Sequence, residues 1–158
     1  MAYLFDTSAI LEAKNRYYSF EVCPGFWTWL ARERSSGNIL SIDAVRKELE
    51  DPDASDWARA NSIFFELEDI GRLTEVSACV MNEARIKTEA KFRFLAKADP
   101  LLIAHALAHN HTIVTHEVAA PGAIARVTIP DVCRQLNVPC VNTFYVLSEL
   151  RARFILET

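Results

Sequence analysis

The chain has 158 residues, 51% of them hydrophobic, which is enough for one domain with a sizeable core and leaves no room for a second. Its 17 basic and 21 acidic side chains give a formal charge of −4, which argues against a sequence-independent coat for nucleic acid but is compatible with a nuclease carrying a local basic rim. No basic, signal-like opening is present, and no apolar run nears the roughly 18 residues of a membrane span, so a soluble, cytoplasmic protein is expected.

The opening run Tyr3-Leu4-Phe5 has the composition of a buried strand and ends in Asp6-Thr7-Ser8 before a helical stretch over 9–14. Asp6 therefore stands where strand turns into helix, either as a cap or at the edge where open α/β sheets place ligands. Residues 15–25 read as an ordered aromatic loop. A helix over 26–34 follows, whose Phe26, Trp27 and Trp29 belong to the core more readily than to a base-stacking surface. Residues 39–42 form a strand, and Asp43 is placed to cap a helix over 44–49 that carries Glu48.

The spacing of Trp57, Ala60, Ile63, Phe64 and Leu67 predicts a long helix over 55–68, closed by Gly71. A second long helix is expected over 75–97, increasingly basic toward Lys91, Arg93 and Lys97. Asp99-Pro100 then starts another helix over 101–108. Residues 112–115 repeat the first motif, a buried strand running into His116-Glu117. A short strand over 126–129, a helix over 130–136, an extended segment over 137–141 and a final helix over 144–154 capped by Thr143 complete the chain. Strands alternating with helices predict an α/β sandwich with a mainly parallel sheet.

The chemistry points to its acids. In a parallel sheet the strand C-termini and the following helix N-termini share one edge, so Asp6, Asp99 and Glu117 are expected to converge there, with Glu48 nearby. Clustered carboxylates repel one another unless a cation balances them, and oxygen donors suit Mg²⁺ or Mn²⁺. Arg93, Lys97 and Lys91 are candidates to hold phosphates, against the alternative of a solvated charged face. His105 and His109 lie four apart but lack the neighbouring Glu of a zinc-protease motif. Cys23, Cys79, Cys133 and Cys140 lack Cys-x-x-Cys spacing and read as reduced, buried thiols.

The order Tyr3-Leu4-Phe5-Asp6-Thr7-Ser8, Val45-Arg46-Lys47-Glu48-Leu49, Ala98-Asp99-Pro100-Leu101-Leu102-Ile103-Ala104 and Val114-Thr115-His116-Glu117 resembles the PIN domain, the metal-dependent ribonuclease fold of VapC-type toxins. The Phe-Asp-Thr-Ser opening, the aromatic stretch around Pro24 to Trp29 and the segment Ile129 to Cys133 are similar to a PIN-like family. The resemblance spans the whole chain. It implies a single PIN-like domain over 1–158, a three-layer sandwich, and Asp6, Glu48, Asp99 and Glu117 as catalytic acids. Among these, Asp6, Asp99 and Glu117 would hold Mg²⁺ or Mn²⁺, supported by Ser8 and Thr115. It further implies an RNA substrate, an antitoxin partner and a homodimer. Two departures are visible: Glu117 stands where Asp is usual, and the stretch between Glu48 and Asp99 is long. The alternatives are a PIN-like module that binds RNA or protein without cutting, and a phosphotransfer domain, which the lack of a second acid beside Asp6 disfavours.

Overall fold

Five short strands rich in apolar residues pair edge to edge. The computed structural model describes residues 1–157. Tyr3–Phe5 form β1, Ile39–Ile42 β2, Phe65–Glu66 β3, Thr112–Val114 β4 and Cys140–Val141 β5. They build one sheet in the order β3-β2-β1-β4-β5, with every pairing parallel. All four residues of β2 and all three of β4 are buried, so both faces of the sheet are covered, as parallel sheets require.

The covering helices are α1 (Thr7–Glu12), α2 (Pro24–Ser35), α3 (Asp43–Glu48), α4 (Pro52–Ala60), α5 (Leu73–Met81), α6 (Thr88–Leu95), α7 (Asp99–His109), α8 (Ile129–Gln135) and α9 (Thr143–Glu149). This is an α/β architecture with a central all-parallel sheet flanked by helices, consistent with a PIN-like three-layer sandwich. No helix among the described residues is long and apolar enough to cross a membrane. The four cysteines are free thiols, and only Cys133 is fully buried.

Several local expectations are corrected. The long helix over 55–68 ends at Ala60, because Asn61 turns the chain by bonding the carbonyl of Trp57, and a 3₁₀ turn over Ser62–Phe64 leads into β3. Extended backbone there pairs with β2 and places Phe64 against Phe5 and Trp57, while Ile63 and Leu67 face solvent. The helix over 75–97 is two helices, α5 and α6, joined by a turn. Residues 126–129 form no strand. There Thr128 caps α8 instead, exchanging hydrogen bonds with Asp131.

The last helix stops at Glu149, so that Phe154 comes to rest among Tyr18, Phe26 and Trp29. Asp43 and Thr143 are first helical residues rather than caps. Asp43 pairs with Arg46 and Lys47, and Asn142 caps α9. The helix expected over 9–14 starts two residues early and passes into a π-helical turn over Ala13–Tyr17, which carries Tyr17 and delivers Tyr18 to the core.

The strand order fixes where chemistry is placed. Successive strands run outward from β1 to β2 and β3, and then the chain crosses back to add β4 and β5 on the other side. The C-terminal ends of β1 and β4 therefore flank the point where the winding reverses, the position at which open α/β sheets leave a crevice.

Candidate functional site

Register brings the first two acids to that crevice. Phe5 pairs with Val114, and the Asp6 N–H donates to the Val114 carbonyl at 3.0 Å, so Asp6 and Thr115 leave the sheet side by side. The Asp6 carboxylate is 2% exposed and accepts from the Ala9 N–H at 2.6 Å, from Ser8 Oγ at 2.8 and 2.9 Å, and from Thr115 Oγ1. It is both the cap of α1 and the centre of a hydroxyl network joining β1 to β4. That network extends outward: the His116 N–H donates to Ser8 Oγ and the Glu117 N–H to Thr115 Oγ1, both at 3.0 Å. Burial pushes the Asp6 carboxyl up to about 7, against the lowering effect of its three kinds of donor.

Glu48 closes α3 and reaches across the crevice. Its Oε2 accepts from Thr7 Oγ1 at 2.8 Å and its Oε1 from the Ala98 N–H at 2.7 Å, tying the starts of α1 and α7 together. Asp99 is the first residue of α7 but makes no capping bond, so its carboxylate is not consumed by the helix. Burial raises it to about 7, with Glu117, Asp6 and Glu48 each adding repulsion and Lys97 partly offsetting them. Glu117 is held by the Ile129 N–H at the start of α8, 2.8 Å from Oε2. Asp6, Glu48, Asp99 and Glu117 line one cleft of about 360 Å³, with Thr7, Ser8, Leu11, Glu50 and Lys97. A smaller hollow of about 280 Å³, bordered by Thr115, Glu117 and Asn142, adjoins it across Glu117.

The cationic candidates separate. Lys97 lines the cleft from the turn before α7. Arg93 is exposed on α6 and lies outside the cleft lining. Lys91 is corrected: it is 8% exposed, and its ammonium donates to the Met81 carbonyl at 2.9 Å, capping the end of α5 rather than facing a phosphate.

The cleft fits a hard divalent cation in its donor chemistry. Five carboxylates, Glu50 included, meet a single ammonium, and burial, with repulsion between the acids added, pushes Asp6 and Asp99 toward neutrality. Asp99, Glu50 and the second oxygen of Glu117 are the donors least committed to protein partners, whereas Asp6 and Glu48 already spend both oxygens. No three His, Cys, Asp or Glu side chains among the described residues are already drawn to one coordination point. Zinc is no better served elsewhere. His105 Nδ1 accepts from the Asp69 N–H at 3.0 Å and His111 Nδ1 from the Ala2 N–H at 3.1 Å, so each neutral ring keeps its proton on Nε2 and offers no lone pair.

Thr7 and Glu50 are site residues that sequence reasoning passed over. Thr7 lies inside the Asp-Thr-Ser motif, and its spacing from Asp6 was the available signal. Nothing in the local pattern marks Glu50. In comparisons with known proteins, the family described as "Domain of unknown function (DUF4411)" matches residues 3–154. No curated protein and no solved structure matches the chain.

Proposed function

We propose that this chain, which belongs to the DUF4411 family, is a Mg²⁺- or Mn²⁺-dependent endoribonuclease of the PIN type, whose site is the carboxylate-lined cleft. One observation carries the reading: four acids from separate elements meet at the winding reversal of a parallel sheet, where burial first, and repulsion from neighbouring acids second, raises Asp6 and Asp99. A bound divalent cation supplies charge compensation at a phosphate oxygen and a more acidic water. Asp99 and Glu117 are the residues to hold it.

The protein's own groups do the rest. Ser8 and Thr115 fix the Asp6 carboxylate, the start of α8 fixes Glu117, and Lys97 offers an ammonium to an entering phosphate. Glu48 acts as a positioning residue, because its two oxygens hold Thr7 and the start of α7. A toxin role with an antitoxin partner and a homodimer belong to the same proposal and rest on the resemblance of motifs; a cytoplasmic location belongs to it too and rests on the four free thiols.

The full commitment of Asp6 and Glu48 to protein donors favours a second reading, a PIN-like module that binds RNA or protein without cutting. Incubation of the purified protein with a pool of structured and single-stranded RNA in Mg²⁺, Mn²⁺ or EDTA separates the two. Cuts that need the metal and vanish in Asp99→Asn are expected; folded protein that cuts under no metal leaves the binding module.

A further inference from the structure

Most aromatic side chains of the molecule are core. Phe26, Trp27 and Trp29 are at most 5% exposed, which removes them as a surface for ligands. A separate aromatic group stands in the open beside the cleft. Tyr17, at the end of the π-helical turn, stacks on the His116 ring at 5.7 Å and 24°, and meets the edge of Phe144 at 4.9 Å and 86°. Tyr17 and Phe144 are 44% and 42% exposed. His116 sits between Thr115 and Glu117, and its ring is fixed by a 3.0 Å contact between Nε2 and Thr143 Oγ1.

We propose that Tyr17, His116 and Phe144 form a stacking platform for one unpaired nucleobase of the strand whose phosphate occupies the acidic cleft. The inference rests on the nuclease reading and deepens it. Three observations select this occupant. The His116 N–H donates at 3.0 Å to Ser8 Oγ, and Ser8 lines the cleft, so a ligand reaching both must present a phosphate and a flat ring close together. Its rings are held from several sides before any ligand arrives, by Tyr18, His116 and Phe144 around Tyr17 and by Thr143 beneath His116, so little ordering is needed on binding. Arg16, adjacent to Tyr17 and largely exposed, adds a cation at the outer rim, loosely paired with Glu12 at 3.3 Å. A base inside a duplex is already stacked on its neighbours and cannot use such a surface, whereas an unpaired one gains a partner.

The test is fluorescence titration of a short single-stranded RNA carrying one 2-aminopurine, using Asp99→Asn protein in Mg²⁺ so that the probe stays intact, with a duplex of the same sequence in parallel. Quenching of the single strand but not the duplex is expected. In that background Tyr17→Ala and Phe144→Ala each weaken binding about tenfold or more, the size of one lost stacking contact. Tyr17→Phe, which keeps the ring, binds as the parent does.

Equal quenching of the duplex, or unchanged affinity in both alanine variants, overturns the platform. So does a Tyr17→Phe variant as weak as Tyr17→Ala, because the hydroxyl would then be the contact. A shift from dimer to monomer in the alanine variants, with RNA binding unaltered, overturns it in favour of a self-association face. Quenching by a protein that cuts RNA under no metal sinks the nuclease reading and leaves the platform standing.

Discussion

Asp6 and Asp99 carry the same side chain in one cleft, yet substitution separates them. Asp6 accepts from a backbone N–H and two hydroxyls in a site that is 2% exposed. In Asp6→Asn the amide nitrogen meets donors with a donor, leaving a buried group unsatisfied at a cost of about 1–3 kcal/mol. Asp99 caps nothing and is repelled by three neighbours, so Asp99→Asn is expected to leave stability in EDTA unchanged or raise it at pH 8. Urea denaturation of both variants checks the contrast. Cleavage should fall at least about a hundredfold in each, a loss of a few kcal/mol of charge stabilisation; an Asp99→Asn protein that is strongly destabilised but active reverses the assignment. Both acids were legible in the sequence, since each stands at a strand or helix boundary. Their unequal roles were not, because hydrogen-bond partners 109 residues apart leave no local trace.

Elements were legible where local pattern and tertiary packing agree. β1, β2, β4 and the starts of α7 and α8 follow from apolar runs and Asp-Pro or Pro-Asp signals. The failures lie where packing overrides period. The spacing of Phe64 suits a helix, but its ring gains more between Phe5 and Trp57 at the sheet edge, and a charged Lys91 folds inward because α6 doubles back on α5.

The end of α7 and the start of β4 hold a device no pattern announces. His105 and His111 each accept a backbone N–H through Nδ1, so protonation turns an acceptor into a donor and detaches the segment after β3 and the entry to β1. Burial first, and His109 next, lower the pKa of His105; burial, then His105 and His109, lower His111 to about 4. Glu66, Glu68 and Asp69 pull the other way on His105, and Glu66 does so on His111. A base depressed in the folded state is lost to the unfolded chain as pH falls, so stability should drop from about pH 6.5 toward 4. His111→Asn, which retains an acceptor in the same place, should shallow that fall in thermal melts; an unaltered acid limb would refute the attachment.

Across the whole molecule the two ionic sets oppose each other. Asp6 and Asp99 are raised, so the folded state binds more protons than the unfolded one between about pH 4 and 7, and their contribution to stability is lost as pH rises. The histidines lose theirs as pH falls through much of the same range. Without divalent cations the two carboxyls therefore offset part of the fall that the histidines impose between pH 6.5 and 4. Removing one arm changes the slope: Asp99→Asn should steepen the rise of melting temperature with pH, and His111→Asn should make it shallower. Mg²⁺ should raise the melting temperature more at pH 8 than at pH 5, since the cation competes with protons for the same carboxylates. Equal Mg²⁺ effects at both values would place the ion elsewhere.

The central strand β1 comes from the first residues of the chain, and it acquires its neighbour β4 only from residues 112–114. Pairing across such separations forms late. A polypeptide emerging from the ribosome thus displays Asp6 long before Asp99, Thr115 and Glu117 exist to complete the cleft. Under the proposed nuclease reading the cleft is incomplete, and cuts no RNA, until Glu117 has been added to the growing chain.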